Sequence, residues 1–296
     1  MLGARWDVLD RVRHLHLRAR QLVEGVYQGT RRSVRIGHDV EFADYKPYTA
    51  GDSLRDLDWR VLARSDRLVV RRYRAEAELC CTIVLDVSAD LGSTPRKFEQ
   101  AVTLAATLAV FCSLDGEPVG LVLGAGEGVA LRTLRPGSGR RHLAQLLTML
   151  ASVQPAGRAG LDRLFHDVAG QLGSRGLVAV VGDFAEEPSG WIGSLNALAQ
   201  RRADLRAFQV YDPVEAGLQY PQPLRVYSLE ADGRRPIDPL ALRPAFEAEV
   251  ERFFAEVRGA FLSRRGQHQL VPADADLVPV LSRFARGEGD PLGRVA

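Results

Sequence analysis

The chain has 296 residues, 46% apolar and 26% charged, an ordinary globular composition with enough apolar mass for one large core or two modest ones. Its formal net charge of +2 is too small to point by itself to nucleic acid or an anionic membrane. Cys80, Cys81 and Cys112 lie in apolar runs without zinc-site spacing, which fits buried thiols in a reducing compartment rather than disulfides.

The opening "MLGARWDVLDRVRHLHLRARQL" is charged throughout, so neither signal peptide nor anchor is expected from it. No window reaches the ~20 apolar residues of a membrane span, and a cytoplasmic location is the expectation. Val8, Val12, Leu15, Ala19, Leu22 and Val26 recur at steps of three and four, one stripe of an amphipathic helix over residues 1–29 that Gly25 and Gly29 should end. From Thr30 to Tyr73 the chain is turn-rich and aromatic, lacks a helical stripe of useful length, and closes on the strand-like "LVVRRY". Residues 30–77 are therefore expected to form a small β-rich module.

The texture then changes. "LCCTIVLDVS" is a nearly continuous apolar run, the mark of a strand buried on both faces of a parallel sheet. A helix follows, with Phe98, Ala101, Val102, Ala105, Leu108 and Cys112 on its stripe and Pro95 in its first turn. "PVGLVLG" and "GVALRTL" read as two strands joined by the turn "GAGEG"; Leu143, Leu146, Leu147 and Leu150 mark another helix, and Leu161, Leu164, Phe165 and Val168 a third. "GLVAVVGDF" is a second buried strand, and "WIGSLNALAQRRA" with "DLRAFQVYD" repeats the helix-then-strand order. Such alternation predicts, over residues 78–215, an α/β domain with a mostly parallel sheet covered by helices on both faces. Residues 216–296 should add to the same core a hairpin turning at Asp232-Gly233, a long helix through Leu242, Phe246, Val250, Phe253, Val257 and Phe261 that Pro244 could start, and a last strand and short helix.

Little in the chain suggests catalysis. Gly124, Gly126 and Gly128 precede a strand-like segment and not a helix N-terminus, so they read as a hairpin turn and not a phosphate cradle. The six His residues lack metal spacing, and Ser88 has no identifiable His partner. The stronger signal is "DVSAD", Asp86 to Asp90, at the end of the first core strand. Ligands of open parallel sheets bind at the carboxyl ends of the strands, where Asp86, Ser88 and Asp183 should converge. Oxygen donors of this kind suit Mg²⁺.

At this point the chain resembles the von Willebrand factor A fold, whose metal-ion-dependent adhesion site begins with Asp-x-Ser-x-Ser. Asp90 stands where the second Ser belongs, and "PAGRAGLDRL" offers Ala159 and Gly160 where the family supplies a Thr. What remains is Asp86, Ser88, Asp90 and Asp183, a degenerate site with Mg²⁺ as its conceivable cofactor and, as the alternative, Asp86 and Ser88 satisfying backbone groups in the turn.

Immediately upstream, "GHDVEFADYKPYTAGDSLRDLDWRVLARSDRLVVRRYRAEAE" resembles the signature of the domain of unknown function 58 family, at Gly37, Glu41, Phe42, Tyr45, Tyr48, Gly51, Asp52, Arg55, Asp58, Trp59, Ala63, Arg64 and Glu76. With the von Willebrand-like part, the resemblance covers roughly residues 25 to 215. It implies a non-enzymatic protein-interaction module, an adaptor for a MoxR-type AAA+ ATPase that assembles or activates another complex. Within the signature, Asp56 and Asp58 are placed to pair with neighbouring Arg residues, a network that could dock the module or meet a partner. Two rival readings remain open: a metal-dependent enzyme acting on phosphoesters through Asp86, Asp90 and Asp183, and nucleic-acid binding through the Arg-rich run, which its interleaved Asp residues oppose.

Overall fold

The computed structural model describes residues 2–29, 42–49, 58–65, 67–73, 80–125, 130–172, 176–201, 203–227 and 234–289. The chain divides into two compact units, residues 37–79 and residues 1–36 with 80–296.

In the smaller unit, β1 (Phe42–Pro47) pairs antiparallel with β2 (Val69–Tyr73), with Tyr45 opposite Arg71. Between them lies α2 (Trp59–Ser65), a helix where only β structure was expected. Its seven residues are too few to display an apolar stripe. Asp58 starts it: one carboxylate oxygen accepts the Val61 N–H at 3.3 Å, and the Asp58 N–H donates to the Val69 carbonyl at 3.0 Å, tying the helix start to β2. Gly37, Glu41, Gly51, Asp52, Arg55, Asp56 and Glu76 lie outside the described residues.

The larger unit opens with α1 (Leu2–Gly29), which continues through Gly25 instead of ending there. The missing side chain is used in packing: a Cβ on Gly25 would lie 3.1 Å from the Val278 side chain. Then come β3 (Cys81–Asp86), α3 (Pro95–Leu114), β4 (Val119–Gly124), β5 (Arg132–Gly137), α4 (Arg140–Ser152), α5 (Leu161–Gln171), β6 (Gly176–Gly182), α6 (Pro188–Gln200) and β7 (Ala203–Tyr211). The short α7 (Pro213–Ala216), the hairpin β8 (Leu224–Tyr227) and β9 (Arg234–Ile237), α8 (Pro239–Leu262), β10 (Gln267–Pro272) and α9 (Leu277–Arg286) complete it. The expected turns at Gly126 to Gly128 and at Asp232-Gly233 fall outside the described residues. Pro244 lies inside α8; the start is set by Asp238, whose carboxylate accepts the Leu240 N–H at 3.0 Å.

Six strands form one sheet in the order β10-β7-β6-β3-β4-β5, parallel except for β5, which runs antiparallel to β4 at the edge. β3, β4 and β6 are buried along their whole length, which explains their unbroken apolar sequences. Alternate residues face opposite layers: Ile83 and Leu85 join the core under α1, α3, α4 and α9, while Val84, Val178 and Val180 join that under α5, α6 and α8. The second layer centres on Trp191, packed against Phe165, Phe184 and Phe261. Against the expectation that no segment reaches the length of a membrane span, α3 is long and apolar enough by length and composition to cross one, although 78% of its apolar window is buried in the protein, between the sheet and α1. Cys81 and Cys112 are buried thiols of this core, outside any disulfide, and Cys80 is half-buried.

Candidate functional site

From β3 the chain runs outward to β4 and β5, then returns past β3 to β6 on its other side. The crevice beyond the carboxyl ends of β3 and β6 is thus the point where the winding reverses, the place where sheets of this kind bind ligands. The close approach of the two strand ends depends on Gly182, since a Cβ there would lie 3.0 Å from that of Asp86.

Asp86 and Ser88 form a tight buried turn. The Ser88 N–H donates to one Asp86 oxygen at 2.9 Å and its hydroxyl to the other at 3.1 Å. Burial, and after it the charge of Asp183, pushes the Asp86 carboxyl up to about 8, against the two Ser88 hydrogen bonds. Asp183 accepts the Ala185 N–H at 3.2 Å on one oxygen and the Lys97 ammonium at 3.0 Å on the other. Lys97 also reaches Glu215 at 3.4 Å, and its side chain is only 8% exposed. Burial disfavours its charge, yet Asp183 and Glu215 outweigh that and raise its pKa above the ordinary lysine value, so the group stays an ammonium.

The surrounding caps hold this arrangement. Thr94 caps α3, accepting the Lys97 N–H at 3.4 Å, and donates its hydroxyl to Asp212 at 2.9 Å. Asp212 in turn caps α7 through the Val214 N–H at 2.9 Å, so Glu215 is carried to the mouth of the crevice. Across the crevice, Glu186 accepts the Leu161 N–H at 2.8 Å and caps α5, because Gly160 brings no side chain. The loop containing Ala159 and Gly160 is tied alongside by Ala156 N–H to the Val87 carbonyl (2.8 Å) and Ala89 N–H to the Gly157 carbonyl (3.0 Å). Behind Asp183, Gln209 donates to its carbonyl at 3.0 Å and accepts from His268 Nε2 at 2.9 Å.

The structure therefore brings together Asp86, Ser88 and Asp183, as strand-end geometry required, and places Asp90 half-buried on the adjoining turn. In the smaller unit, Asp58 is a buried helix cap, Trp59 is 62% exposed at the start of α2, Arg64 is exposed in its last turn, Tyr48 is half-buried after β1, and Phe42 and Tyr45 lie on β1. Lys97, Glu215, Glu186, Gln209 and His268 were not found from sequence. One signal was present for Lys97: it and Lys46 are the only lysines among 39 basic residues, so an ammonium rather than a guanidinium at this point stands out.

Mg²⁺ fits this donor set poorly. Two of the hydroxyl ligands of the adhesion-site pattern are absent, at Asp90 and at Ala159-Gly160. A third donor, the outer Asp183 oxygen, already accepts from Lys97, and a Mg²⁺ bound to it at ~2.1 Å would stand no more than ~5 Å from the ammonium. Among the described residues, no group of three or more His, Cys, Asp or Glu is arranged to hold a metal ion.

Residues 44–255 match the family described as Protein of unknown function DUF58. Uncharacterized protein Rv1480 of Mycobacterium tuberculosis and Uncharacterized protein Mb1516 of Mycobacterium bovis are each 30% identical over 213 residues, covering 70% of this chain. The match spans 66% of those relatives, just under two thirds of their length. Among solved structures, BatB from Bacteroides thetaiotaomicron aligns with 71% of this chain and 98% of its own (15% identity, TM-score 0.44). The SpRpn10 VWA domain aligns with 73% of this chain and 100% of its own (11% identity, TM-score 0.42). The chain belongs to the DUF58 family, and its larger unit is a mostly parallel six-stranded sheet with one antiparallel edge strand and helices on both faces.

Proposed function

We propose that the chain is a non-enzymatic protein-interaction module acting in the cytoplasm as an adaptor for a MoxR-type AAA+ ATPase, and that the strand-end face meets the partner. The observation that carries this reading is how the polar groups of the crevice are used. Asp86 serves Ser88, Asp183 serves Lys97 and Ala185, Asp212 serves Thr94 and Val214, and Glu186 serves Leu161. Each fixes a loop or a helix start, so these bonds shape a surface, and the one carboxylate–hydroxyl pair, Asp86 with Ser88, is buried in its own turn where no substrate reaches it.

A metal-dependent phosphoester enzyme is favoured by one observation alone, the approach of the Asp86 and Asp183 carboxyl groups at the strand ends, although burial raises Asp86 to about 8 and so keeps it protonated, a poor cation ligand, at neutral pH. Against it, Asp86 is 2% exposed and holds Ser88 with both oxygens. The test is affinity capture of the tagged full chain from its native host, with and without ATP and Mg²⁺, identified by mass spectrometry. Enrichment of an AAA+ ATPase is expected, lost on charge reversal (Glu187→Arg) of Glu187, the exposed residue that follows Glu186 and immediately precedes α6. Capture without any such ATPase, or turnover of phosphoesters by the purified chain, would reject the adaptor reading.

A further inference from the structure

We propose that the Lys97 ammonium is the resident cation of the strand-end site, seated on the carboxylate that a divalent ion would need, and that this closes the site to Mg²⁺. The inference does not depend on which partner the protein has. Three independent observations converge on it. The first is position: Lys97 lies in the first turn of α3, and its side chain reaches across the crevice to Asp183 at 3.0 Å and Glu215 at 3.4 Å. These contacts join α3 to the β6 end and to α7, the elements that meet where the sheet reverses.

The second is charge. A single ammonium buried against the Asp183 carboxylate and within reach of the half-buried Glu215 offsets part of a negative charge that the fold could not otherwise bury. A divalent ion at the same carboxylate would have to displace it, since two cations sharing one oxygen repel each other at close range. The third is the choice of residue types. In a chain whose cationic side chains are otherwise nearly all arginine, this position holds a compact point charge, and the two places where neutral hydroxyls would ligate a metal hold Asp90 and Ala159.

Mn²⁺ serves as the probe, followed on the full-length chain by electron paramagnetic resonance and by thermal denaturation. The unsubstituted protein should neither immobilise the ion nor gain in melting temperature. Lys97→Met removes the ammonium and keeps the apolar stem; it should melt lower, then recover in part with Mn²⁺, binding it at least ~10-fold more tightly than the unsubstituted protein does. Because Lys97→Met could fail to fold, the double variant Lys97→Met/Asp183→Asn supplies a second reading. It removes both members of the pair and should melt higher than Asp183→Asn alone, which leaves the buried ammonium with the half-buried Glu215 as its one carboxylate partner. Tight Mn²⁺ binding by the unsubstituted protein, lost in Asp183→Asn, would overturn the proposal. So would a folded Lys97→Met that binds Mn²⁺ no better, or a double variant no more stable than Asp183→Asn.

Discussion

Acidification should weaken this fold through one side chain, His268, which is 2% exposed on β10. Its tautomer follows from its neighbours. The Gln209 amide nitrogen donates to the Asp183 carbonyl, so the Gln209 oxygen faces the ring and His268 Nε2 must carry the proton. That leaves Nδ1 buried with no hydrogen-bond partner among the described residues, and a proton added there finds no acceptor among them. Burial, and after it the charge of Arg258 on α8, lowers the imidazole from 6.5 to about 4. An unfolded chain takes up the proton as the pH falls past 6.5, while the folded chain refuses it until about 4. The stability contribution is therefore complete above 6.5, is lost progressively down to about 4, and levels off below. At ~1.36 kcal/mol per pH unit the gap amounts to ~3 kcal/mol. Urea denaturation across this range should compare the unsubstituted protein with His268→Gln, which keeps an N–H for Gln209 and does not titrate. Other groups titrate alike in both, so the difference between the two stability curves isolates His268 and should grow by ~3 kcal/mol toward the acid end. Parallel curves, or an imidazole that titrates near 6.5 by NMR in the folded protein, would refute the reasoning.

Two further outcomes can be read by the same denaturation assay. Asp58→Ala removes the cap of α2 and a buried carboxylate, and should cost at least ~1 kcal/mol; an unchanged midpoint would mean that α2 stands without its cap. Gly182→Ala puts a methyl within 3.0 Å of the Asp86 side chain and should destabilise by ~1–3 kcal/mol while shifting the NMR resonances of Ser88; a neutral effect would show that the two strand ends are not in close approach.

The sequence by itself determined the sheet and the rough place of the site. "LCCTIVLDVS" and "GLVAVVGDF" carry their burial in their own residue types, and the helices between them announce themselves by a period of three to four, so the parallel order and the meeting of Asp86 with Asp183 follow from rules about strand ends. Those signals are local, written within a dozen residues. α2 escaped because one cap, and no stripe, makes it a helix. Pro244 misled because the Asp238 cap sets the start of α8, which then runs on through the proline without its N–H.

What only the tertiary structure decided is who partners whom. Lys97 sits in "TPRKFE", a charged run indistinguishable from any solvated first turn. Asp183 is 86 residues away and Glu215 118, and nothing in their own neighbourhoods points to a lysine. The crossover that sets β6 beside β3, and the cap that holds α7 against the start of α3, bring the three together. Likewise, Gln209 and His268, 59 residues apart, meet because β10 pairs with β7. Periodicity fixes which face of an element is buried, since that is a property of a few successive residues. An ion pair or a buried imidazole depends on how several elements are wound around one another, and that is settled only when the sheet closes.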